Sequence, residues 1–165
     1  FAVYHPGRLF LLCLQCQLCI RDWGNHSFSK DMVVGRGLHF QLPPHAQGKL
    51  VRVPNGRVLD VVVDLRAGSP TYGKHLGVEL SGENWQQLWV PAGFAHGFCT
   101  LVPNTEFCYK VSSYYAPEHD SGLAFDDPDL AIDWPVAKDA ITVSGKDSQL
   151  GAFKDFVSQF EYSTS

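Results

Sequence analysis

The chain has 165 residues and a net charge of −4, and 45% of its residues are hydrophobic and 13% aromatic. This length and composition predict one folded domain over residues 1–165, and they exclude a largely disordered chain. The negative charge disfavours a protein that binds nucleic acid through a broad basic surface, so we expect no nucleic-acid partner.

The N-terminal part carries the longest apolar run, LFLLCLQCQLCI, at residues 9–20. Two glutamines interrupt the run, and it is too short to cross a bilayer, so we expect no membrane partner and a cytoplasmic location. In a strand, one face of this run is apolar: it is formed by Leu12, Leu14, Cys16, Leu18 and Ile20.

The five cysteines include Cys13, Cys16 and Cys19, a spacing that resembles part of an iron–sulfur ligand run. Trp23 stands where the fourth ligand would follow. We therefore interpret them as reduced thiols in a strand. The odd number and wide spacing of the cysteines also argue against a disulfide framework.

The next segment, RGLHFQLPPHAQGKLVR at residues 36–52, has the pattern of two strands and a turn, which predicts a hairpin. It also carries two Arg, two His, two Gln and a Lys, more hydrogen-bonding groups than a structural hairpin needs. These groups predict a functional site. His45, in the LPPH turn, is expected to be exposed rather than catalytic.

Strand patterns dominate from about Val33 to Val111. VLDVVVDL alternates apolar residues with Asp60 and Asp64, which predicts a half-buried strand. KHLGVELS, QLWVP, HGFCTLV and EFCYKVSSYY follow, separated by turn clusters rich in Gly, Pro and Asn. Short strands about ten residues apart predict an all-β sandwich or barrel.

The C-terminal part changes character. DDPDLAIDWP is irregular, and QLGAFKDFVSQF spaces its apolar residues as a helix does. We therefore expect a barrel over about residues 25–135 and an appendix over about residues 136–165, with one short helix that packs on the barrel.

VPAGFAHGF, with Pro91, Gly93 and His96, resembles the second motif of the cupins, which are small jelly-roll barrels. A metal-dependent cupin also needs a His-x-His pair and a Glu, whereas this chain has His39-Phe40-Gln41 and no suitably placed Glu. We therefore expect a cupin-like jelly-roll barrel without a metal. A metal site formed by His39, His45 and His96 remains the alternative.

Metal-free acid–base chemistry in such a barrel needs a base, a cation beside the developing negative charge, and an acid. His39 suits the base, Lys49 the cation, and Tyr109 the acid. A carboxylate should orient the His, but composition does not choose among the many Asp. Each of these three residues also has a purely structural interpretation.

Several motifs occur together in a characteristic order: NHSFS, RGLHFQ, AQGKLVR, DVVVDLRAGSPTYG, QLWVPAGFAHGF, EFCYKVSSYYAPEHD, DDPDLAIDWP and SGKD. In this order they resemble the dTDP-4-dehydrorhamnose 3,5-epimerase family, over about residues 25–147. The resemblance implies a homodimeric jelly-roll isomerase that needs no cofactor and acts on a dTDP-linked 4-keto-6-deoxy sugar.

The resemblance also implies roles for individual residues. His39 corresponds to the base, Lys49 to the residue that stabilises the enolate, Tyr109 to the acid, and Asp147 to the carboxylate paired with the His. The implied substrate-binding positions are Arg36 for the diphosphate, Gln47 and His96 for the sugar pocket, Asn25 for its edge, Tyr115 for stacking on thymine, and Asp120 and Lys146 for further nucleotide contacts.

The N-terminus departs from the family pattern, which has an Arg-Gly-x-Phe…Glu strand. HPGRLFLLC offers Arg8 and Phe10 but no Glu, and SKDMVVGRGLH is one residue longer than usual. This departure leaves open a sugar-nucleotide binding module that has lost catalysis. An epimerase that acts on only one carbon beside the ketone is a further alternative, because no motif separates the two outcomes.

Overall fold

The computed structural model describes residues 3–4, 24–136 and 140–163. These residues form two five-stranded sheets, ordered β1-β8-β4-β10-β2 and β11-β3-β9-β5-β7, and a small parallel pair, β6 and β12. The strands are β1 (Val3–Tyr4), β2 (Gly24–Ser29), β3 (Gly35–Gln41), β4 (Lys49–Asn55), β5 (Arg57–Asp64), β6 (Arg66–Ala67), β7 (His75–Ser81), β8 (Gln87–Val90), β9 (Phe94–Thr100), β10 (Thr105–Val111), β11 (Asp120–Gly122) and β12 (Phe160–Glu161). The predicted all-β, cupin-like jelly-roll fold is confirmed.

The inner faces of the two five-stranded sheets pack on each other to form the barrel core. Val51 and Phe107 of the first sheet belong to the same buried cluster as Val62 and Phe98 of the second. The rings of Phe98 and Phe107 stack with their centroids 4.1 Å apart. This stacked pair joins the two sheets within the buried cluster.

A second core lies on the outer face of the β11-β3-β9-β5-β7 sheet. Leu38 and Val61 contribute to it from the sheet, and Trp134 and Phe160 from the C-terminal part of the chain. Because the C-terminal part covers this outer face, the central strands β5 and β9 are buried on both sides over most of their length.

β5 is therefore not the half-buried strand that its alternation predicted. Asp60 and Asp64 are both buried, with Asp60 facing the barrel interior. Each carboxylate is compensated by partners, as buried charges must be. Although burial acts to raise the pKa of Asp64, hydrogen bonds from Arg66, Ser69 and Thr71 hold that pKa well below its usual value.

In the described residues of the tail, the helical content is confined to single turns. One-turn 3-10 helices span Asp147–Gln149 and Phe153–Asp155, and another spans Pro117–His119 earlier in the chain. The continuous helix expected over residues 149–160 does not form. Gly151 bridges to Leu123, and β12 pairs with β6, so the tail forms backbone pairs with other segments. Its aromatic spacing serves packing, as Phe156 meets Phe40 edge-on at 5.2 Å.

The hairpin predicted for residues 36–52 is wrong. β3 pairs with β9 and β11, whereas β4 pairs with β8 and β10, so the two strands belong to opposite sheets. Seven residues connect them, including Pro43 and Pro44, which have no N–H to donate to a hairpin ladder. The chain crosses the barrel here, and residues of β3 and β4 therefore face each other across its interior.

The predictions for residues 9–20, including Cys13, Cys16, Cys19 and the strand face, lie outside the described residues, as does Arg8. Within the described part of the chain, no helix has the length and apolar character needed to cross a membrane.

Candidate active site

A β-bulge in β3 directs Arg36 and His39 to the same side of the sheet. Arg36 pairs with Phe98 and His39 with His96, so three steps along β3 match two steps along β9. Without this extra residue, the period-two alternation would place them on opposite faces. Gly37, inside the bulge, has a φ of +101°, a conformation that side chains other than glycine rarely adopt.

Gly37→Ala should therefore be strongly destabilising. A Cβ at position 37 would lie 2.6 Å from the carbonyl oxygen of His96 and 2.7 Å from Cα of Gly97, both backbone atoms. We expect a loss of about 3 kcal/mol or more in the free energy of unfolding, measured by urea denaturation at one protein concentration.

Gly68→Ala is the matched control, because Gly68 also has a positive φ, +80°, but nothing lies within 4 Å of its added Cβ. It should lose only about 1 kcal/mol, from backbone strain alone. Equal losses in the two variants would contradict the close packing at the bulge.

Two connected cavities open beside the bulge. The inner cavity, of about 130 Å³, extends towards Phe98 and Phe107. The outer cavity, of about 360 Å³, extends towards Tyr115 and Lys146. Four side chains line both cavities and so mark their junction: Arg36, His39, Lys49 and Tyr109.

His39 and Asp147 form a hydrogen-bonded pair at this junction. Nε2 of His39 lies 2.7 Å from Oδ1 of Asp147, and the side chains are 29% and 3% exposed. The backbone N–H of Gly37 donates to the other carboxylate oxygen at 3.4 Å. Burial lowers the pKa of His39 below its usual value, and Asp147 opposes that shift. A neutral imidazole held by a buried carboxylate is the arrangement that a general base needs.

A second His–Asp pair lies in the barrel interior. Nε2 of His96 lies 3.0 Å from both carboxylate oxygens of Asp60, and both residues are buried. His96 pairs with His39 in the strand register and lines the inner cavity. Sequence reasoning identified His96 but not Asp60. The available signal was a lone carboxylate within the valine-rich run of β5, which predicts a buried partner.

Lys49 projects from β4 across the barrel towards β3. Its Nζ donates a hydrogen bond to the carbonyl oxygen of His39 at 3.4 Å. Burial lowers the pKa of Lys49 to about 8, although Asp60 and Asp120 act to raise it. The amine thus provides a positive charge at the junction of the two cavities near neutral pH.

Tyr109 lies on β10, in the sheet opposite His39. Burial raises the pKa of its phenol above the usual value, while the nearby Arg36 acts to lower it. The phenol therefore keeps its proton through the neutral range and can donate it. Since β3 and β10 belong to opposite sheets, the base and acid candidates lie on different walls of one cleft.

The outer cavity brings together most of the predicted binding residues. Tyr115, Asp120, Lys146 and Gln47 line it. Nε2 of Gln47 donates to the carbonyl oxygen of Ser113 at 2.7 Å, which fixes its side chain.

Asn25 is placed differently from these residues. It is exposed on β2 and pairs with Tyr109 in the strand register, but it lines neither cavity. Ser27, two residues further along β2, lines the inner cavity and was missed by sequence reasoning. The alternation along β2 turns both residues to one face, but it does not tell how deep in the barrel each one lies.

The alternative metal site has no support in the structure. His45 is exposed, as predicted, and lies against His119 with ring centroids 4.6 Å apart. It lines neither cavity, whereas His39 and His96 each pair with a carboxylate. Within residues 24–136 and 140–163, no group of three or more His, Cys, Asp or Glu is arranged to hold a metal ion.

Solved structures with the same fold share substantial sequence identity with this chain. A dTDP-6-deoxy-D-glucose-3,5-epimerase from Legionella pneumophila, solved in complex with dTDP-4-keto-L-rhamnose, aligns with a TM-score of 0.80 and 42% identity, covering 90% of this chain and 80% of its own. A dTDP-4-dehydrorhamnose 3,5-epimerase from Elizabethkingia anophelis aligns with a TM-score of 0.78 and 48% identity, covering 80% and 72%. ChmJ, a 3'-monoepimerase from Streptomyces bikiniensis in complex with dTDP-quinovose, aligns at 0.71 with 34% identity, covering 78% and 64%.

Sequence relatives agree with the structural ones. The dTDP-4-dehydrorhamnose 3,5-epimerase from Sinorhizobium fredii is 52% identical over 138 residues, which cover 84% of this chain and 70% of the relative. The enzyme of that name from Pseudomonas aeruginosa is 53% identical over 131 residues, covering 79% and 71%. The family model for dTDP-4-dehydrorhamnose 3,5-epimerase matches residues 20–155. The chain belongs to the dTDP-4-dehydrorhamnose 3,5-epimerase family.

Proposed function

We propose that this chain is an isomerase that converts dTDP-4-dehydro-6-deoxy-D-glucose to dTDP-4-dehydro-L-rhamnose without a cofactor. The observation that carries the proposal is the His39–Asp147 pair, which shares the cavity junction with Lys49 and Tyr109. Membership of the epimerase family supports the same reaction.

The reaction begins with removal of a proton from a carbon beside the ketone, which acidifies its neighbours. His39 is the base in this proposal. Because Nε2 of His39 bonds to Asp147, a proton on Nε2 leaves Nδ1 unprotonated and able to accept the substrate proton. Asp147 then stabilises the imidazolium that forms.

The two other groups complete the inversion. The enolate carries its negative charge on the former ketone oxygen, and the Lys49 ammonium stabilises it from the junction of the two cavities. Tyr109, on the opposite wall, returns a proton to the other face of the carbon and so inverts its configuration.

The remaining residues bind the nucleotide sugar in this proposal. Arg36 binds the diphosphate, because a guanidinium can donate two parallel hydrogen bonds to phosphate oxygens. His96 and Gln47 hold the sugar, and Asn25 lies at the edge of its pocket. Tyr115 is the platform for the base, and Asp120 and Lys146 contact the nucleotide. The ring of Tyr115 is exposed and lies at the end of the outer cavity, which supports placing the nucleobase there.

Proton exchange in deuterated water, followed by proton NMR with dTDP-4-dehydro-6-deoxy-D-glucose, tests the proposal. Deuterium should enter at both carbons that flank the ketone. Entry at one carbon only would replace the proposal by a single-position epimerase, the activity named for ChmJ. Tight dTDP binding without any exchange, in folded protein, would favour the binding module that has lost catalysis.

The rate should depend on pH in a bell-shaped manner. His39 must be neutral to accept a proton, and burial lowers its pKa, so kcat/KM falls only when the pH drops below the usual histidine range. Lys49 must be protonated, and its pKa is about 8, so kcat/KM falls again above about that pH. The measurement is kcat/KM from pH 5 to 10. A Lys49→Met variant should lose the alkaline limb of this profile, that is, the decrease of kcat/KM above about pH 8. An alkaline limb that persists in Lys49→Met would contradict the assignment.

We also propose that the chain forms a homodimer. Large apolar side chains are exposed on the monomer, among them Phe28 at 57% and Trp85 at 61%. Large apolar side chains mark an interaction surface where they form one contiguous patch. Sedimentation equilibrium should give twice the monomer mass, and a monomer mass that does not change with concentration would contradict the proposal.

A cytoplasmic location without a nucleic-acid partner is the last part of the proposal. Within the described part of the chain Cys99 and Cys108 are free thiols, which suits a reducing compartment. The net charge of −4 is unsuited to broad contact with nucleic-acid phosphates.

A further inference from the structure

The carboxylate of Asp120 connects three separate segments at the rim of the outer cavity. The Tyr115 hydroxyl donates to its Oδ2 at 3.0 Å, and the Lys146 ammonium forms an ion pair with the same oxygen. Asp120 itself lies on β11, which pairs with β3, the strand of His39. The Asp120 side chain is only 14% exposed, whereas that of Lys146 is 63% exposed.

Lys146 is the residue immediately before Asp147, the carboxylate paired with His39. The backbone N–H of Asp147 donates to the Ser144 hydroxyl at 3.1 Å, and its side chain is bound to His39 and to the N–H of Gly37. The loop that carries Asp147 is thus attached to the base at one point and, through Lys146, to Asp120 at a neighbouring point.

Tyr115 is the third member of this cluster and differs from the others in its exposure. Tyr115 is 62% exposed and lines the outer cavity, so its ring is open to a planar ligand. Its hydroxyl is fixed by the hydrogen bond to Asp120. A nucleobase that stacks on the ring would restrain Tyr115 and, through its hydroxyl, the carboxylate of Asp120.

We propose that Asp120 is a positioning residue that transmits binding of the nucleotide at Tyr115 to the His39–Asp147 pair through Lys146. This inference rests on the proposed function, because it takes a nucleotide sugar as the substrate. It assigns Asp120 an effect on turnover in addition to a contact with the nucleotide. In energetic terms, interaction with a remote part of the substrate is used to orient the catalytic base.

The ligand is needed for this link to act. In the free protein the Lys146 ammonium is open to solvent, and an ion pair screened by water contributes only about 0–1 kcal/mol. A nucleotide over Tyr115 would cover Lys146 and Asp120, and the same pair becomes stronger where water is excluded. The loop with Asp147 is therefore held more firmly in the complex than in the free protein.

The kinetic test compares the complete dTDP-sugar with 4-keto-6-deoxyglucose 1-diphosphate, which lacks only the nucleoside. In the unmodified chain the nucleoside should raise kcat and not only lower KM. Asp120→Asn should lower kcat for the dTDP-sugar by about 10- to 100-fold and lower kcat for the truncated sugar by a much smaller factor. Lys146→Met should behave in the same way, and Lys146→Arg, which keeps the ion pair, should retain kcat.

Asp155→Asn is the matched control, since Asp155 is an exposed carboxylate on the same C-terminal part and lines neither cavity. Its kcat should equal that of the unmodified chain. If Asp120→Asn raises KM while kcat for the dTDP-sugar is unchanged, Asp120 is a binding contact only and the inference is wrong.

A second readout does not depend on turnover. The His39 ring can be followed by ¹⁵N NMR in histidine-labelled protein, with its signals assigned from the His39→Ala variant. Saturation with thymidine, which lacks the diphosphate assigned to Arg36 beside His39, should shift the His39 ring signals in the unmodified chain and leave them unshifted in Asp120→Asn saturated with thymidine. Unshifted His39 signals in the saturated unmodified chain would overturn the inference, whereas shifted signals in a chain without epimerase activity would refute only the proposed reaction.

Discussion

His39→Ala should eliminate deuterium exchange at the carbons beside the ketone while the protein stays folded. The variant removes the only group that we assign to abstract the proton, and a general base typically contributes about 10²–10⁴-fold in rate. The fold should tolerate the change, because the side chain is partly exposed and lines a cavity instead of filling the core. The measurement is NMR-detected exchange, with thermal unfolding as the test of folding.

His45→Ala is the matched control for this prediction. His45 is also a histidine of the 36–52 segment, but it is exposed in a turn and lines neither cavity. Its backbone carbonyl accepts the hydrogen bond from Gln41, so the substitution leaves that contact in place. Exchange at the normal rate in folded His39→Ala would remove His39 from the mechanism.

Tyr109→Phe should separate proton removal from inversion. The variant keeps the ring that packs near Phe107 and lacks only the hydroxyl. His39 can still form the enolate, but no acid remains on the opposite wall, so deuterium returns from the side of the base. We expect epimerised product to form about 10²–10⁴-fold more slowly, with a smaller decrease in deuterium exchange.

Tyr72→Phe provides the comparison, because Tyr72 lines neither cavity and lies against Phe153 with ring centroids 5.4 Å apart. Both exchange and inversion should be normal in that variant. Exchange and inversion that fall by the same factor in Tyr109→Phe would show that the phenol acts before or during proton removal, contrary to the proposed order.

The amino-acid sequence alone predicted the class of fold and the chemical types in the site. Period-two alternation and turn residues report local backbone geometry, and these were enough for an all-β jelly roll. His39, Lys49 and Tyr109 were selected because their ordinary pKa values suit a base, a cation and an acid. The structure places all three at one cavity junction, and their roles stay predictions.

The long-range partners were decided by the tertiary structure. Asp147 lies 108 positions from His39 and Asp60 lies 36 positions from His96, and no local pattern relates them. Resemblance to the family indicated Asp147, and the valine-rich run around Asp60 indicated only that this carboxylate has a buried partner, not that the partner is His96. Which carboxylate meets which imidazole depends on strand register, and a single bulge at Gly37 changes that register.

Two of the incorrect local interpretations, the hairpin and the C-terminal helix, have the same physical cause. Residues 36–52 have the alternation of a hairpin, yet their strands join opposite sheets, which brings Lys49 to His39. Residues 149–160 have helical spacing, yet their aromatic side chains pack on the outer face of a sheet. Periodicity in the sequence determines which side chains are buried together, whereas the partner against which they are buried is selected by the free energy of the whole packed chain.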